Sequence, residues 1–358
     1  IWNLLGGDKI LYIHLEHTLL IAQIKDSLAS NSGEVFLGTS EVFDRPPVEI
    51  LSINEGYAGT QSQFACILCK LGYCFIDQKA GKVFIYKQGQ ALEEISAKGL
   101  YNFFNTYGSQ KILNIDNPFL SQGYTIAFDE RYNRLIISKN VIEPEDYRFT
   151  LSYSPILNEG NGGWVSFHDY YPDFISGNRS NLLIFNNDNF KVYKHNSKTR
   201  KTKYTDETPR LSYIDVVFNE APLETKRFDN FKWITVSELN NIISDKDTFT
   251  DIAIYNDNQF SGVIDLKDGG LFWHGKDVRN TEGTWNFNKF KDLLTNKTTL
   301  FKDDKNFFIL LSVDYNKAWF NKNKFISKYI IVRLINNNIN QRNLHLTLVG
   351  SNFIKSNR

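Results

Sequence analysis

Residues Arg148–Asn196 constrain the fold more than any other stretch. They read RFTLSYSPILNEGNGGWVSFHDYYPDFISGNRSNLLIFNNDNFKVYKHN. Phe149, Leu151 and Tyr153 alternate with Thr150 and Ser152, and Val165 and Phe167 alternate with Trp164, Ser166 and His168. Leu182–Phe185 is a short apolar run, and Phe190, Val192 and Tyr193 follow the turn Asn186–Asn189. Period-two alternation over a few residues, bounded by Gly, Asn and Pro, marks half-buried strands. Asn and Gly tolerate the positive φ of tight hairpin turns. The stretch predicts a pair of successive hairpins, the building unit of a β-propeller or a large β-sandwich.

The same logic extends along the chain. A first hairpin is expected from Leu19–Ile24 and Val35–Gly38 around the turn Ser30–Gly33, ended by Arg45-Pro46-Pro47 because proline is excluded from central strands. Strands follow at Gln63–Lys70, Tyr73–Asp77 and Lys82–Tyr86. Ser96 reads as the N-cap of a short helix, Ala97–Tyr107, with Leu100, Phe103 and Phe104 at helical spacing and Gly108 as its stop. YCFIDQKAGKVFIYK, TIAFDERYNRLIISK and LLIFNNDNFKVYKHN then form a loose repeat, each a strand, an Asp- or Asn-bearing turn and a second strand. They start at Tyr73, Thr125 and Leu182. That spacing somewhat exceeds the roughly 40–50 residues of a propeller blade, and an insertion such as the 97–107 helix lengthens a blade.

Character changes after His195, where NSKTRKTKYTDETPR is polar and basic. Beyond it, strands are expected at Tyr213–Phe218, Lys232–Val236, Ile252–Tyr255, Phe260–Asp265, Phe307–Val313, Tyr329–Leu334 and Leu344–Val349. One helix candidate spans Phe287–Leu294 with Asn286 as its cap. The expected fold is all-β: β-propeller-like blades of antiparallel hairpins over 1–204, then a β-sandwich-like domain over 205–358, with a few short helices.

Composition fits a globular β protein. Of 358 residues, 42% are hydrophobic and 23% charged, and 28 Phe and 18 Tyr supply the aromatics that favour pleated surfaces. A net charge of +1 gives no global field toward nucleic acid or an anionic membrane. No apolar run approaches the roughly 20 residues of a membrane span. The chain opens IWNLLGGDKI, without a signal-peptide pattern, and holds no Met. It reads as an excised or processed piece of a longer polypeptide.

Cys66, Cys69 and Cys74 include a C-x-x-C spacing that matches zinc and redox motifs. Zinc needs four ligands, and no His or second Cys pair lies nearby in sequence. Cys66 and Cys69 fall on opposite faces of a strand over Gln63–Lys70. Three small apolar side chains in a reducing environment are expected instead.

The densest polar-aromatic cluster is Trp164, His168, Asp169, Tyr170 and Tyr171. His168-Asp169 resembles half of a catalytic triad, but adjacent strand residues point to opposite faces. Trp and Tyr suit a glycan platform, having flat apolar faces and polar tips. The structural alternative has them fixing a blade corner, with His168 hydrogen-bonded inside it. Lys191–Lys203 holds six Lys/Arg, among them Lys194, Arg200 and Lys201, plus His195. Such a cluster contacts phosphates or forms a solvated hairpin tip; the tip is expected. Asn158–Trp164 and Asn280–Trp285 approach the Asp boxes of sialidase-type propellers but lack the Asp and the Gly-to-Trp spacing. Glu143, Glu145 and Asp146 around Pro144 read as a charged loop rather than a glycosidase carboxylate pair. P-loop, dinucleotide, H-E-x-x-H and EF-hand patterns are absent from the sequence. Asn178-Arg-Ser and Asn296-Lys-Thr are formal glycosylation sequons. No catalytic residue, cofactor or metal is expected.

Several motifs, in order, resemble the muzzle, or tail stabilisation, protein family of crAss-like bacteriophages. They are Tyr57-Ala-Gly-Thr-Gln-Ser62, Gly72-Tyr-Cys-Phe-Ile-Asp77, Gly81-Lys-Val-Phe84 and Ile95-Ser-Ala-Lys-Gly99 with Phe103-Phe104. Trp164-Val-Ser-Phe-His-Asp-Tyr-Tyr-Pro172, Tyr193-Lys-His195 and Lys226-Arg-Phe-Asp-Asn230 follow, then Trp285 with Asn288 and Asp292, and the terminal Ser356-Asn-Arg358. The resemblance runs from roughly residue 40 to the end. It implies a structural virion protein at the distal end of a short tail, assembled in the host bacterial cytoplasm. Multiple copies would join each other and other tail proteins and close the tail channel, this chain being the C-terminal part of a larger muzzle polypeptide. The competing expectation is a glycan-binding or glycan-cleaving propeller that recognises the bacterial surface.

Overall fold

The computed structural model describes residues 1–7, 10–23, 27–30, 33–36, 46–51, 57–109, 117, 120–142, 147–168, 170–178, 181–186, 190–195, 212–239, 242–266, 278–288, 290–294, 323–336 and 343–355. The chain divides into two compact units, Ile1–Lys198 and Thr199–Arg358. Both are all-β and their strands pair antiparallel; one α-helix occurs among the described residues.

The first unit is a run of antiparallel meanders, each built from strands consecutive or nearly so in the chain. The first sheet joins β1 (Asn3–Gly7), β2 (Ile10–His14) and β3 (Leu19–Gln23). A separate ribbon, β4 (Ser27–Ser30) with β5 (Gly33–Phe36), then leads to β6 (Val48–Glu49), which returns to the edge of β3. The expected pairing of Leu19–Ile24 with Val35–Gly38 is thus corrected. Ser30 pairs with Gly33 within the short ribbon, while β3 pairs back to β2. The second sheet is β7 (Cys66–Cys69), β8 (Gly72–Asp77), β9 (Lys82–Tyr86) and β10 (Glu93–Glu94). After helix α1 (Ala97–Tyr107) come β11 (Gly123–Asp129), β12 (Arg134–Asn140), β13 (Phe149–Ser154) and β14 (Gly163–His168), the third sheet. The fourth is β15 (Phe174–Asn178), β16 (Asn181–Asn186) and β17 (Lys191–His195). The Arg148–Asn196 stretch therefore holds five strands, not four, and straddles two sheets.

Successive sheets pack through their first strands: β1 against β7, β7 against β11, and β11 against β15. Apolar cores fill the spaces between them. Ile10, Tyr12 and Leu19 meet Tyr73, Phe75, Phe84 and Tyr86 between the first and second sheets. On the opposite face of β8 and β9, Cys74, Ile76, Val83 and Ile85 meet Tyr124, Ile126, Phe128, Leu135, Ile137, Phe149, Leu151 and Tyr153 of the third. Ala127 and Ile136 then meet Ile175 and Leu182 of the fourth. Odd and even positions of β8 thus serve two different cores, as period two requires. β8, β9 and β11–β13 are buried along almost their whole length rather than half-buried as alternation predicted. Ser, Thr and Cys at the inner positions look polar in sequence but are small enough to sit between sheets; Ser138 and Thr150 bond each other there at 2.9 Å.

Helix α1 caps the core between the second and third sheets with Phe104, while Phe103 and Leu100 pack beside it. Ser96 precedes the helix, but its hydroxyl does not cap it. It donates to Glu94 and accepts from the Val83 N–H. Lys98–Leu100 leave helical geometry, so the regular turns lie after Leu100. Gly108 stops the helix in right-handed conformation, its N–H donating to Phe104 O at 2.8 Å. A side chain at 108 would collide with the backbone of Gly81 in the β8–β9 turn. Close approach, not a left-handed cap, is what that glycine supplies.

The second unit contains β18 (Ser212–Phe218), β19 (Lys226–Leu239), β20 (Ile242–Ser244), β21 (Asp251–Tyr255) and β22 (Phe260–Asp265). It continues with β23 (Val278–Thr281), β24 (Thr284–Asn288), β25 (Lys291–Asp292), β26 (Asn323–Ser327), β27 (Ile330–Asn336) and β28 (Asn343–Lys355). One sheet runs β18-β27-β21-β22; the other is organised on β19. Along one edge of β19 lie β26, β24 and β20 in turn, and along the other lies β28. One core draws on both sheets. Phe228, Phe231 and Trp233 of β19 share it with Phe287 and Phe325, and with Ile252, Ile254, Ile264, Ile330, Val332 and Leu334.

The helix expected over Phe287–Leu294 is replaced by the end of β24 and the two-residue β25. Phe287, Phe290, Leu293 and Leu294 have helical spacing, but pairing of Phe287 with Phe231 takes the segment into the sheet. Asp292 then holds the chain with its carboxylate, accepting from the N–H groups of Phe260 and Leu294, both at 3.1 Å. The strand expected at Phe307–Val313 lies outside the described residues.

Candidate functional site

The candidate site is the seam where the third and fourth sheets meet, at the ends of β14 and β17. Opposite residues in the register are Thr150 with His168 and Ser152 with Ser166, but Tyr153 pairs with Trp164. The slip is a β-bulge, and a bulge re-aims the side chains beyond it. The aromatic cluster of the sequence is therefore split. Trp164 turns toward the core beneath α1, packing on Phe104 at 5.0 Å and Tyr153 at 5.4 Å and donating from Nε1 to Ile95 O at 3.0 Å. His168 lies with Ser152 on the opposite face, its Nε2 at 3.0 Å from Ser152 Oγ.

Tyr170 joins two histidines. Its ring centroid stands 5.0 Å from that of His168 and 5.0 Å from that of His195. The Thr150 hydroxyl donates to Tyr170 O at 2.6 Å, and Asn140 Nδ2 donates to Pro172 O at 2.8 Å, which ties the connection to the third sheet. Tyr171 lies under the Arg148 guanidinium at 4.3 Å. Burial, then the positive charge of Arg134, lowers His168 to about 4, and the same two causes lower His195 to about 4. Arg134 itself is paired with Asp129 at 3.1 Å. At neutral pH both rings are uncharged. Lys194 is exposed on β17, opposite Leu183. Asp169, Arg200 and Lys201 lie outside the described residues, as do Glu143, Glu145 and Asp146. The structure thus joins His168 to Tyr170, removes Trp164 to another face, and adds His195, which the sequence had placed in a basic run.

Trp164 also lines an open recess of about 580 Å³ with Lys98, Leu157, Asn158 and Asn161. The loop behind it carries positive φ at Asn158, Glu159, Gly160 and Gly162. Lys98 is held there by Glu93, the Asn161 carbonyl and the Tyr153 hydroxyl.

The motif Tyr57–Ser62 forms a second polar knot, between the first and second sheets. Gln61 is buried and donates to Glu16 O at 2.6 Å and Asp77 Oδ1 at 3.2 Å, while its Oε1 accepts from Lys79 N at 3.0 Å. Thr60 donates to Ile76 O at 2.9 Å, and Tyr57 to Glu94 Oε2 at 2.8 Å. His14, also fully buried, donates from Nε2 to Ala58 O at 3.1 Å and accepts from the Tyr73 hydroxyl at 2.8 Å. Burial lowers it to about 4 as well, against the raising effect of its carbonyl partners. Among the described residues, no group of three His, Cys, Asp or Glu side chains is placed to hold a metal.

These residues carry the motifs of a known family. A family model described as Crassvirus muzzle protein matches residues 22–188, and a second, Crassvirus muzzle protein C-terminal domain, matches residues 199–292. The chain belongs to the Crassvirus muzzle protein family. That membership gives it a structural role in a phage virion, as a tail component. The C-terminal muzzle model begins at residue 199, where the second compact unit begins, and the first ends at residue 188, inside the first unit. In muzzle terms, Tyr57–Ser62 and Trp164–Pro172 mark the seams between sheets. No curated protein matches the chain. No helix among the described residues is long and apolar enough to cross a membrane.

Proposed function

We propose that this chain is a structural subunit at the distal end of a short phage tail. There, multiple copies join each other and other tail proteins and close the tail channel. The reading includes a propeller-like first unit, a sandwich-like second unit, assembly in the host bacterial cytoplasm, and no catalysed reaction or cofactor. Family membership carries it. The packing supports it. First strands of successive meanders lie side by side with cores on both faces of the middle sheets, a rigid wall-like arrangement. Ser152 and His168 stand at nucleophile-to-base distance, but the full burial of Ser152 speaks against its acting as a nucleophile. Phe190 and Leu223 stand 88% and 89% exposed, and in this reading neighbouring subunits cover them. Sedimentation of the purified chain tests the assembly: concentration-dependent oligomers are expected, and a monomer at every concentration overturns it.

The recess at Trp164 favours one alternative, recognition of a host surface glycan by stacking on the indole beside Asn158 and Asn161. A glycan array with a glycosidase assay separates the two. Binding lost in Trp164→Ala supports the alternative, and turnover of any polysaccharide overturns the purely structural reading.

A further inference from the structure

The three cysteines sort differently from their spacing in sequence. Cys66 and Cys69, the C-x-x-C pair, fall on opposite faces of β7. Cys66 turns to Thr60 and the Ser62 carbonyl, at 3.7 and 3.6 Å. Cys69 instead meets Cys74 across the hairpin, with the two Sγ atoms 3.7 Å apart. The register explains this. Cys69 is opposite Gly72 and Cys74 is opposite Ile67, so Cys69 and Cys74 are diagonal neighbours on one face of the β7–β8 ribbon.

The two thiols are unequal. Cys74 is fully buried in the core between the second and third sheets, whereas Cys69 is partly exposed beside the turn. The hydrogen bond from Cys74 lowers the Cys69 thiol, aided by the Leu71 N–H and Lys70, and outweighs its desolvation. That same contact, with burial, raises Cys74. The sulfur of the partly exposed Cys69 leans toward thiolate, and the protonated sulfur of Cys74 lies in contact with it. This is the arrangement of an attacking and a resolving cysteine.

We propose that Cys69 and Cys74 are a redox-active pair that closes to an intra-hairpin disulfide by exchange with a small-molecule disulfide such as oxidised glutathione. The Cys69 thiolate attacks one glutathione sulfur, forming a mixed disulfide and releasing one glutathione thiolate. Cys74, losing its proton to that thiolate or to water, attacks Cys69 Sγ and expels the second glutathione. Two electrons pass from the protein dithiol to the glutathione disulfide, which leaves as two reduced molecules. The product ties the β7–β8 turn across the face that packs on the third sheet, and a reducing compartment reverses it. Cys66 takes no part, since it lies on the other face.

The test uses the whole chain, incubated folded with oxidised glutathione and mapped by mass spectrometry without reduction. A Cys69–Cys74 cross-link is expected, with the mass lowered by two hydrogens and Cys66 still reduced. Cys74→Ser should stop at a stable glutathione adduct on Cys69. Cys69→Ser, altering a partly exposed position, should leave Cys74 unmodified. A lasting glutathione adduct on wild-type Cys69, reaction at Cys66 alone, or no reaction at all overturns the proposal.

Discussion

His14, His168 and His195 are each held near a pKa of about 4, mainly by burial. The unfolded value lies near 6.5. Between those two values the unfolded chain binds more protons than the folded one, so stability falls as pH drops from about 6.5 toward 4 and levels off below. For the fully buried His14 the loss is on the order of 3 kcal/mol, and less for the partly exposed His168 and His195. Urea midpoints of the first unit, measured from pH 7.5 to 4.5, should decline over that window. A His168→Asn variant should decline less steeply, and a flat profile in the wild type would contradict this picture. His168 was legible in the sequence as a residue hydrogen-bonded in a corner. His195 was not, because it stands within a basic run, next to the exposed Lys194, and only the packing of Tyr170 reveals its burial. Nor was the parting of Trp164 from His168, since a bulge shifts the alternation by one residue and leaves no mark in composition. Motif spacing does not reveal Cys74 as the neighbour of Cys69, because it counts along one strand whereas the contact crosses a hairpin.

At the level of strands and helices, the hairpins with long alternation and Asn/Gly turns were readable, and Lys82–Tyr86 and Phe260–Asp265 fall where alternation puts them. β15 was not, because Ser176-Gly177-Asn178 looks like a turn. Gly177 is there for contact: a Cβ would press on the Phe128 carbonyl of β11. Gly177→Ala should destabilise the first unit by about 1–3 kcal/mol, and Gly177→Val by more. Thermal melting reads this directly, and an unchanged midpoint would remove β15 from its place against β11. Phe104, the buried anchor of α1, should cost about 3–5 kcal/mol as Phe104→Ala. Alternation marks only Lys232–Val236 of the 14-residue β19. Its first half carries Lys226, Arg227 and Asp229, charges that alternation discounts. Lys226 is nevertheless buried, its ammonium capping the Glu220 and Ala221 carbonyls. The repeat of three hairpins is real in its chemistry but not in its position. It occupies the middle of the second sheet, the start of the third and the end of the fourth, so hairpin likeness did not give sheet register.

Over the whole chain, each unit owns a core, and the C-terminal muzzle model begins where the second unit begins. Residues 1–198 and 199–358, expressed separately, should each unfold in a single cooperative transition. Failure of either to fold alone would show that the cores are not self-sufficient. Leu223→Asp, at an almost fully exposed position, should leave melting unchanged and weaken self-association. All-β class and family were legible because many weak motifs occur in one order. How the sheets stack was not, since period two shows that a residue faces a core but not which neighbouring sheet supplies the other half. Electron microscopy of intact phage particles labelled with an antibody against this chain checks whether it is a structural part of the tail tip. Label clustered at the distal end of the tail is the predicted result; label on the capsid, or particles that carry none, would contradict it.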